Sequence, residues 1–180
     1  MTRRIALAVA LACVAAGCGS SDPEPEPRSA PPAGFARYEA AGIAFDHPSA
    51  WTRDSPAEGQ VEFYGTPGEG GLPPQVVIGD APARNNLRDV VKVHKGMQKV
   101  RFTTYDVTRD EPVQLAGAEA AHVVDARYTM VSQGAKVLVR EVNLLVETKD
   151  GRQLDFFVRS PAGDYSAAKL QAIFDSFALQ

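Results

Sequence analysis

The sequence predicts an α+β fold, an antiparallel β-sheet of about six to seven strands covered by helices. Three observations carry this reading. Residues 118–130, 136–148 and 152–160 alternate apolar and polar side chains, with turn residues at Ser132-Gln133-Gly134 and Asp150-Gly151 between them. Shorter strand signals precede this meander, and two amphipathic segments stand ready to cover a sheet face.

The strands are expected at 42–47, 60–65, 75–80 and 103–109, with a short one at 112–115. The run Gly65 to Pro74 holds four glycines and three prolines and reads as a surface loop between two of them. A first helix is expected over 84–99, its apolar side formed by Leu87, Val90, Val91, Val93 and Met97. In the meander, Ala120, His122, Val124, Ala126, Tyr128 and Met130 share one face. Leu138, Val142, Leu144 and Val146 share another, with Glu141, Asn143 and Glu147 opposite, and Leu154, Phe156 and Val158 alternate with Asp155, Phe157 and Arg159. One face is expected to be buried. A second helix over 164–177 uses Leu170, Ile173, Phe174 and Phe177 in the same way.

This domain, residues 35–180, is preceded by two segments of different character. Arg3 and Arg4 lead into an apolar run from Ile5 to Ala16, too short for a membrane span of about 20 residues and suited to a signal peptide. Small residues Ala15, Ala16 and Gly17 then precede Cys18, the place where a bacterial lipoprotein is cut and its cysteine lipidated. Residues 1–17 therefore read as a lipoprotein signal peptide. Lipoprotein boxes carry Leu or Val three residues before the cysteine; here Ala15 stands there and Val14 one step earlier. An ordinary secretory signal leaving Cys18 as a free thiol is the alternative, and Cys13 is a poorer acceptor because it shortens the apolar run. Two arginines serve either the general or the twin-arginine export route.

Residues 18–34 form the modified cysteine and a tether containing five prolines and no large apolar side chain. Proline favours extended backbone at roughly 3 Å per residue, so this segment spaces a folded body from a bilayer by up to about 50 Å. Acylation of Cys18 with diacylglyceryl and palmitate-type chains would anchor the protein to the extracytoplasmic face of the cell membrane. Two chains, at about 0.8 kcal/mol per buried methylene, hold where one is marginal.

Composition excludes several classes of function. Removal of residues 1–17 leaves Cys18 as the only cysteine, so neither an internal disulfide nor a thiolate zinc site can form. Loss of Arg3 and Arg4 leaves 17 basic against 22 acidic residues, a net charge of −5 that argues against nucleic-acid binding. No nucleophile elbow, zinc-protease pair, phosphate loop or dinucleotide fingerprint is present, so no catalytic residue, metal ligand or cofactor is assigned. His47, His94 and His122 are far apart and are each expected as hydrogen-bonded histidines at a core edge. Arg84, Arg88, Lys92, Lys95 and Lys99 recur within a wedge of roughly 80° on the first helix, a candidate partner-binding stripe or simply a solvated face.

The segment Gly42 to Trp51, read as Gly-x-x-Phe-x-x-Pro-x-x-Trp, resembles the opening of the PsbP-like α/β/α sandwich. Val113 to Ala120 before a long hairpin, and Ile173-Phe174-Asp175-Ser176-Phe177 at the end, resemble its later landmarks, so that the likeness covers nearly all of residues 38–180. Trp51 is expected to plug one end of the core. The family includes a photosystem II accessory protein, a eukaryotic factor that binds the Ran GTPase, and actinobacterial envelope lipoproteins. The resemblance implies binding rather than catalysis: an accessory factor of the cell envelope with a protein or amphiphile partner. A surface hydrolase of unrecognised type is the competing reading.

Overall fold

The structure is a computed structural model and describes residues 29–180. Cys18, the apolar leader and most of the tether lie outside the described residues. In chain order the elements are β1 (Phe35–Ala40), β2 (Ile43–Pro48), β3 (Thr52–Asp54), β4 (Gln60–Tyr64), a 3-10 turn (Glu69–Gly71), β5 (Gln75–Pro82), α1 (Leu87–Arg101), β6 (Tyr105–Val113), β7 (Ala118–Ser132), β8 (Ala135–Thr148), β9 (Arg152–Pro161), α2 (Leu170–Asp175) and β10 (Ala178–Leu179). Among the described residues no helix is long and apolar enough to cross a membrane.

The strands form two sheets, of order β3-β4-β5-β9-β8-β7-β6 and β1-β2-β10. The predicted meander β7-β8-β9 is the middle of the larger sheet, antiparallel throughout. Its first turn is Gln133-Gly134, at φ 49 and 81, the left-handed pair that a two-residue hairpin needs to follow the strand twist. The segment predicted as one strand at 42–47 instead belongs to the smaller sheet, between β1 and β10, both of which escaped the sequence reading along with β3. These strands are short or lack alternation. The predicted strands at 103–109 and 112–115 are one strand, β6, carrying an irregularity between Val107 and Arg109. As an edge strand it accommodates Pro112, whose missing N–H would break a central ladder.

The main core fills the space between one face of the large sheet and a layer made by the small sheet and α2. Phe45, Phe156, Leu154, Leu170 and Ile173 are fully enclosed there. The Phe45 ring lies 5.5 Å from Phe63 and 5.4 Å from Phe156, and removing such a side chain costs about 3–5 kcal/mol. Trp51 packs partly buried against this core, as expected. The second helix is shorter than predicted: Lys169 sits at φ 57, so the turns over 162–169 do not continue into α2. That break lets buried Tyr165 and Leu170 face the same core.

The expectation of a single buried face fails. Val137, Val139, Glu141, Asn143 and Leu145, on the supposedly polar face of β8, are all buried, whereas Leu138 is exposed. Helix α1 and the loop before β5 cover this second face. Leu87 and Val91 pack on Val124 and Leu145, and Leu72 joins Phe102, Tyr128, Val137 and Val139. The layering is thus helix on sheet on a mixed layer of small sheet and helix.

Candidate functional site

Helix α1 begins at Leu87, not 84, because Asn86 caps it: its side chain accepts from the Asp89 N–H at 3.0 Å. The Leu87 N–H reaches Glu147 on β8 at 3.3 Å, fixing the start of the helix over the sheet. From there, at about 100° per residue, Leu87, Val91, His94 and Gln98 form the stripe facing the sheet. Its second half is polar. Val90, Val93, Met97 and Val100, expected in part as the buried side, form a separate stripe roughly 110° round one flank. Val93, Met97 and Val100 are exposed, Val100 to 90%.

This apolar flank borders a groove. Helix α1 rests on β7 and β8 and leaves β9, β5 and β4 uncovered, opening a cavity of about 970 Å³. Its floor is a row of residues in register across four strands: Leu145, Asp155, Gly79 and Gln60. Val90, Val93, His94 and Met97 form the wall, with Arg84 and Lys92 at the rim. Gly79 leaves the floor open beside Asp155, and an added Cβ there would meet nothing closer than 3.8 Å.

Asp155 Oδ1 and His94 Nε2, on residues of the groove lining, are buried without a partner among the described residues. Burial, reinforced by the charge of Glu141, pushes the Asp155 carboxyl up to about 7. Burial lowers the His94 imidazole below its ordinary value, keeping it neutral. Beneath the helix, Glu141 itself is satisfied, accepting from Tyr128 Oη at 2.7 Å and Asn143 Nδ2 at 2.9 Å. Tyr105 Oη, Gln98 Oε1 and Asn143 Oδ1 are further unpaired atoms in this layer, and burial raises Tyr105 to about 12.

The histidines divide accordingly. His47 is hydrogen-bonded as expected, Nδ1 lying 3.0 Å from Pro48 O and the ring packing on Phe63 in the main core, across the sheet from His94. His122 Nε2 lies 2.8 Å from Asp110 Oδ1. His94, expected with a hydrogen bond, has a buried Nε2 without a partner among the described residues. Among the described residues no group of acidic, histidine or cysteine side chains is arranged to hold a metal ion.

The five cations of the proposed stripe part company. Arg84 precedes the helix; Arg88, Lys92 and Lys99 stand exposed on the flank opposite the apolar one. Lys95 pairs with Asp110, the carboxylate that also meets His122, and both contacts hold Asp110 below the usual carboxylate range. Asp155 and Gly79 were not singled out by sequence. The available signal was a glycine inside a strand, which marks a place where something approaches the backbone.

With respect to chemistry, the groove brings a histidine and a carboxyl together, the pairing that a hydrolase needs. Yet among the described residues its lining contains no serine, threonine, cysteine or tyrosine to act as nucleophile.

The fold is the PsbP-like α/β/α sandwich. The chain is similar to the solution structure of cyanobacterial PsbP from Synechocystis sp. PCC 6803, with TM-score 0.60 and 12% identity over 87% of this chain and 100% of that one. It is similar to the Ran-binding protein Mog1p of Saccharomyces cerevisiae, with TM-score 0.54 and 11% identity over 81% of this chain and 95% of that one. It is also similar to LpqN, involved in cell envelope biogenesis of Mycobacterium tuberculosis, with TM-score 0.54 and 12% identity over 77% of this chain and 83% of that one. No protein-family model and no curated protein matches the sequence. At these identities the likeness establishes architecture.

Proposed function

We propose that this chain is a lipid-anchored, extracytoplasmic accessory protein of the cell envelope that holds an amphiphilic ligand in the groove beside α1, without catalysing a reaction. The observation that carries this reading is the exposed apolar flank of α1 bordering a groove whose floor ends in unpartnered polar atoms. Apolar walls with a few placed polar groups are the usual make-up of a small-ligand site. The leader ending at Cys18 supports the anchor, and the architecture shared with LpqN supports an envelope setting. The hydrolase reading gains no support from a groove whose described lining has no hydroxyl or thiol.

Binding of a neutral apolar dye, Nile Red, to the unlipidated full chain (Cys18→Ala) tests the groove. Fluorescence rises with the parent chain and falls at least severalfold with Gly79→Val, which places a side chain in the floor. Equal signals from both chains overturn the assignment. Fractionation of cells expressing the chain with and without Cys18→Ala tests the anchor: the parent pellets with membranes and the variant does not.

A protein partner is the second reading, favoured by Arg88, Lys92 and Lys99, which have no ion pair among the described residues and stand on the opposite flank of the same helix. Arg88 and Lys99 stand clear of the groove, and Lys92 also reaches its rim.

A further inference from the structure

We propose that the groove reads the head of its amphiphile, selecting a primary ammonium group that pairs with Asp155 while the attached alkyl chain lies along Val90, Val93 and Met97. This rests on the groove being the ligand site. The geometry comes first. Asp155 stands in the floor between Leu145 and Gly79, and Gly79 has no side chain to cover its carboxyl from the groove. Its Oδ1 is buried and accepts no hydrogen bond, and among the described residues it has no ion pair. The two arginines of β9 are engaged with other acids. Arg152 Nη1 binds Asp80 at 3.0 Å, and Arg159 approaches Glu141 at 3.8 Å.

A buried carboxylate without a cation is costly, and a ligand that supplies one is favoured correspondingly. Its neighbours sharpen the choice of sign. Glu141 on β8 lies close enough to raise the Asp155 carboxyl, and the groove lining carries Glu58, Asp80, Asp89 and Asp155 against Arg84 and Lys92. His94, on the helix side, is kept neutral by burial and so sets no opposing positive charge beside Asp155. Among the described residues no phenyl, phenol or indole ring lines the groove, so a sugar head would find no stacking platform. The apolar wall from Val90 to Met97 runs about 10 Å, the reach of an octyl chain.

The test is calorimetric titration at pH 8 of the unlipidated full chain with octylamine, octanol and octanoate, each below its aggregation concentration. The inference expects octylamine to bind about tenfold more tightly than octanol, with octanoate weakest. Asp155→Asn should bring octylamine and octanol level. Equal affinities for the two in the parent chain, or a preference for octanoate, overturn the ammonium assignment and leave the groove reading standing. Failure of all three probes, or octylamine binding unaltered by Gly79→Val, overturns both. A short-chain phosphatidylethanolamine in the same titration locates the source: its binding supports the inference with a lipid headgroup as ligand, and octylamine binding alone supports it with a simple amine.

Discussion

Tyr128 and Glu141 meet at 2.7 Å, the phenol donating to the carboxylate, with both side chains closed off from solvent. They sit diagonally on neighbouring strands, Tyr128 opposite Val139, beneath the C-terminal half of α1. Glu141 needs its donors because burying a charge is tolerable only when its oxygens are satisfied. Tyr128→Phe keeps the ring that stacks on Phe102 at 3.9 Å and removes only the donor. The expected loss is about 1–3 kcal/mol, read as a lower urea midpoint at unchanged slope. A midpoint equal to the parent's would mean that Asn143 and Arg159 suffice.

Asp155 makes stability depend on pH in an unusual direction. Its folded carboxyl titrates at about 7, above the ordinary 3.8 of the unfolded chain, so the native state binds the proton more tightly. That contribution is fully present below pH 4, declines as the unfolded chain ionises between about pH 4 and 7, and is constant above. His47 and His94, lowered by burial, act oppositely and lose stability as pH falls below 6.5. Comparing Asp155→Asn with the parent cancels the histidines. The variant should gain stability relative to the parent from pH 5 to pH 8, by a few kcal/mol. Parallel melting temperatures across that range would refute the shift.

Two glycines flank the groove and should respond differently to a side chain. Gly59 lies at φ 71, and a Cβ there would stand 2.4 Å from the carbonyl oxygen of Asp80. Gly79 has neither obstacle. Gly59→Ala should cost about 1–3 kcal/mol by strain and crowding, while Gly79→Val leaves the melting temperature within a few degrees. Thermal unfolding of the two variants side by side makes the comparison.

Charge reversal of Arg88, Lys92 and Lys99 to Glu should leave the melting temperature nearly unchanged, because solvated charges contribute little to stability. Lys95→Glu should differ, since it breaks the pair with Asp110 and sets two acids together. In cells, crosslinked protein partners should be lost from the triple variant and retained by Gly79→Val. Loss from both would place the partner at the groove instead.

The meander was legible because strict alternation and turn residues such as Gln133-Gly134 are local signals. So was the fold: Gly42, Phe45, Pro48 and Trp51 mark a hairpin turn, a core ring, a strand end and a plug. The groove was not. Leu87, Val90, Val91, Val93 and Met97 make a single broad apolar arc in sequence, and only tertiary packing decides that Leu87 and Val91 turn inward while Val93 and Met97 stay out. Glu141 and Asn143 misled for a related reason, since polar residues on a strand read as solvated until a helix is laid over them. Asp155 looked like one more outward-facing residue; its meaning depends on Gly79, distant in sequence and adjacent only in the sheet.

The pairing of β5 with β9, and of β2 with β10, has a bearing on how the molecule is made. Val76 finds Val158, and Ala44 finds Ala178, only when the last third of the chain is present. The N-terminal strands therefore have no complete sheet to join while the rest is still being synthesised. A topology that closes on two such distant pairings assembles more slowly than one built of consecutive hairpins alone. A nascent chain of this topology keeps β2 and β5 each short of one neighbour until β9 and β10 are made.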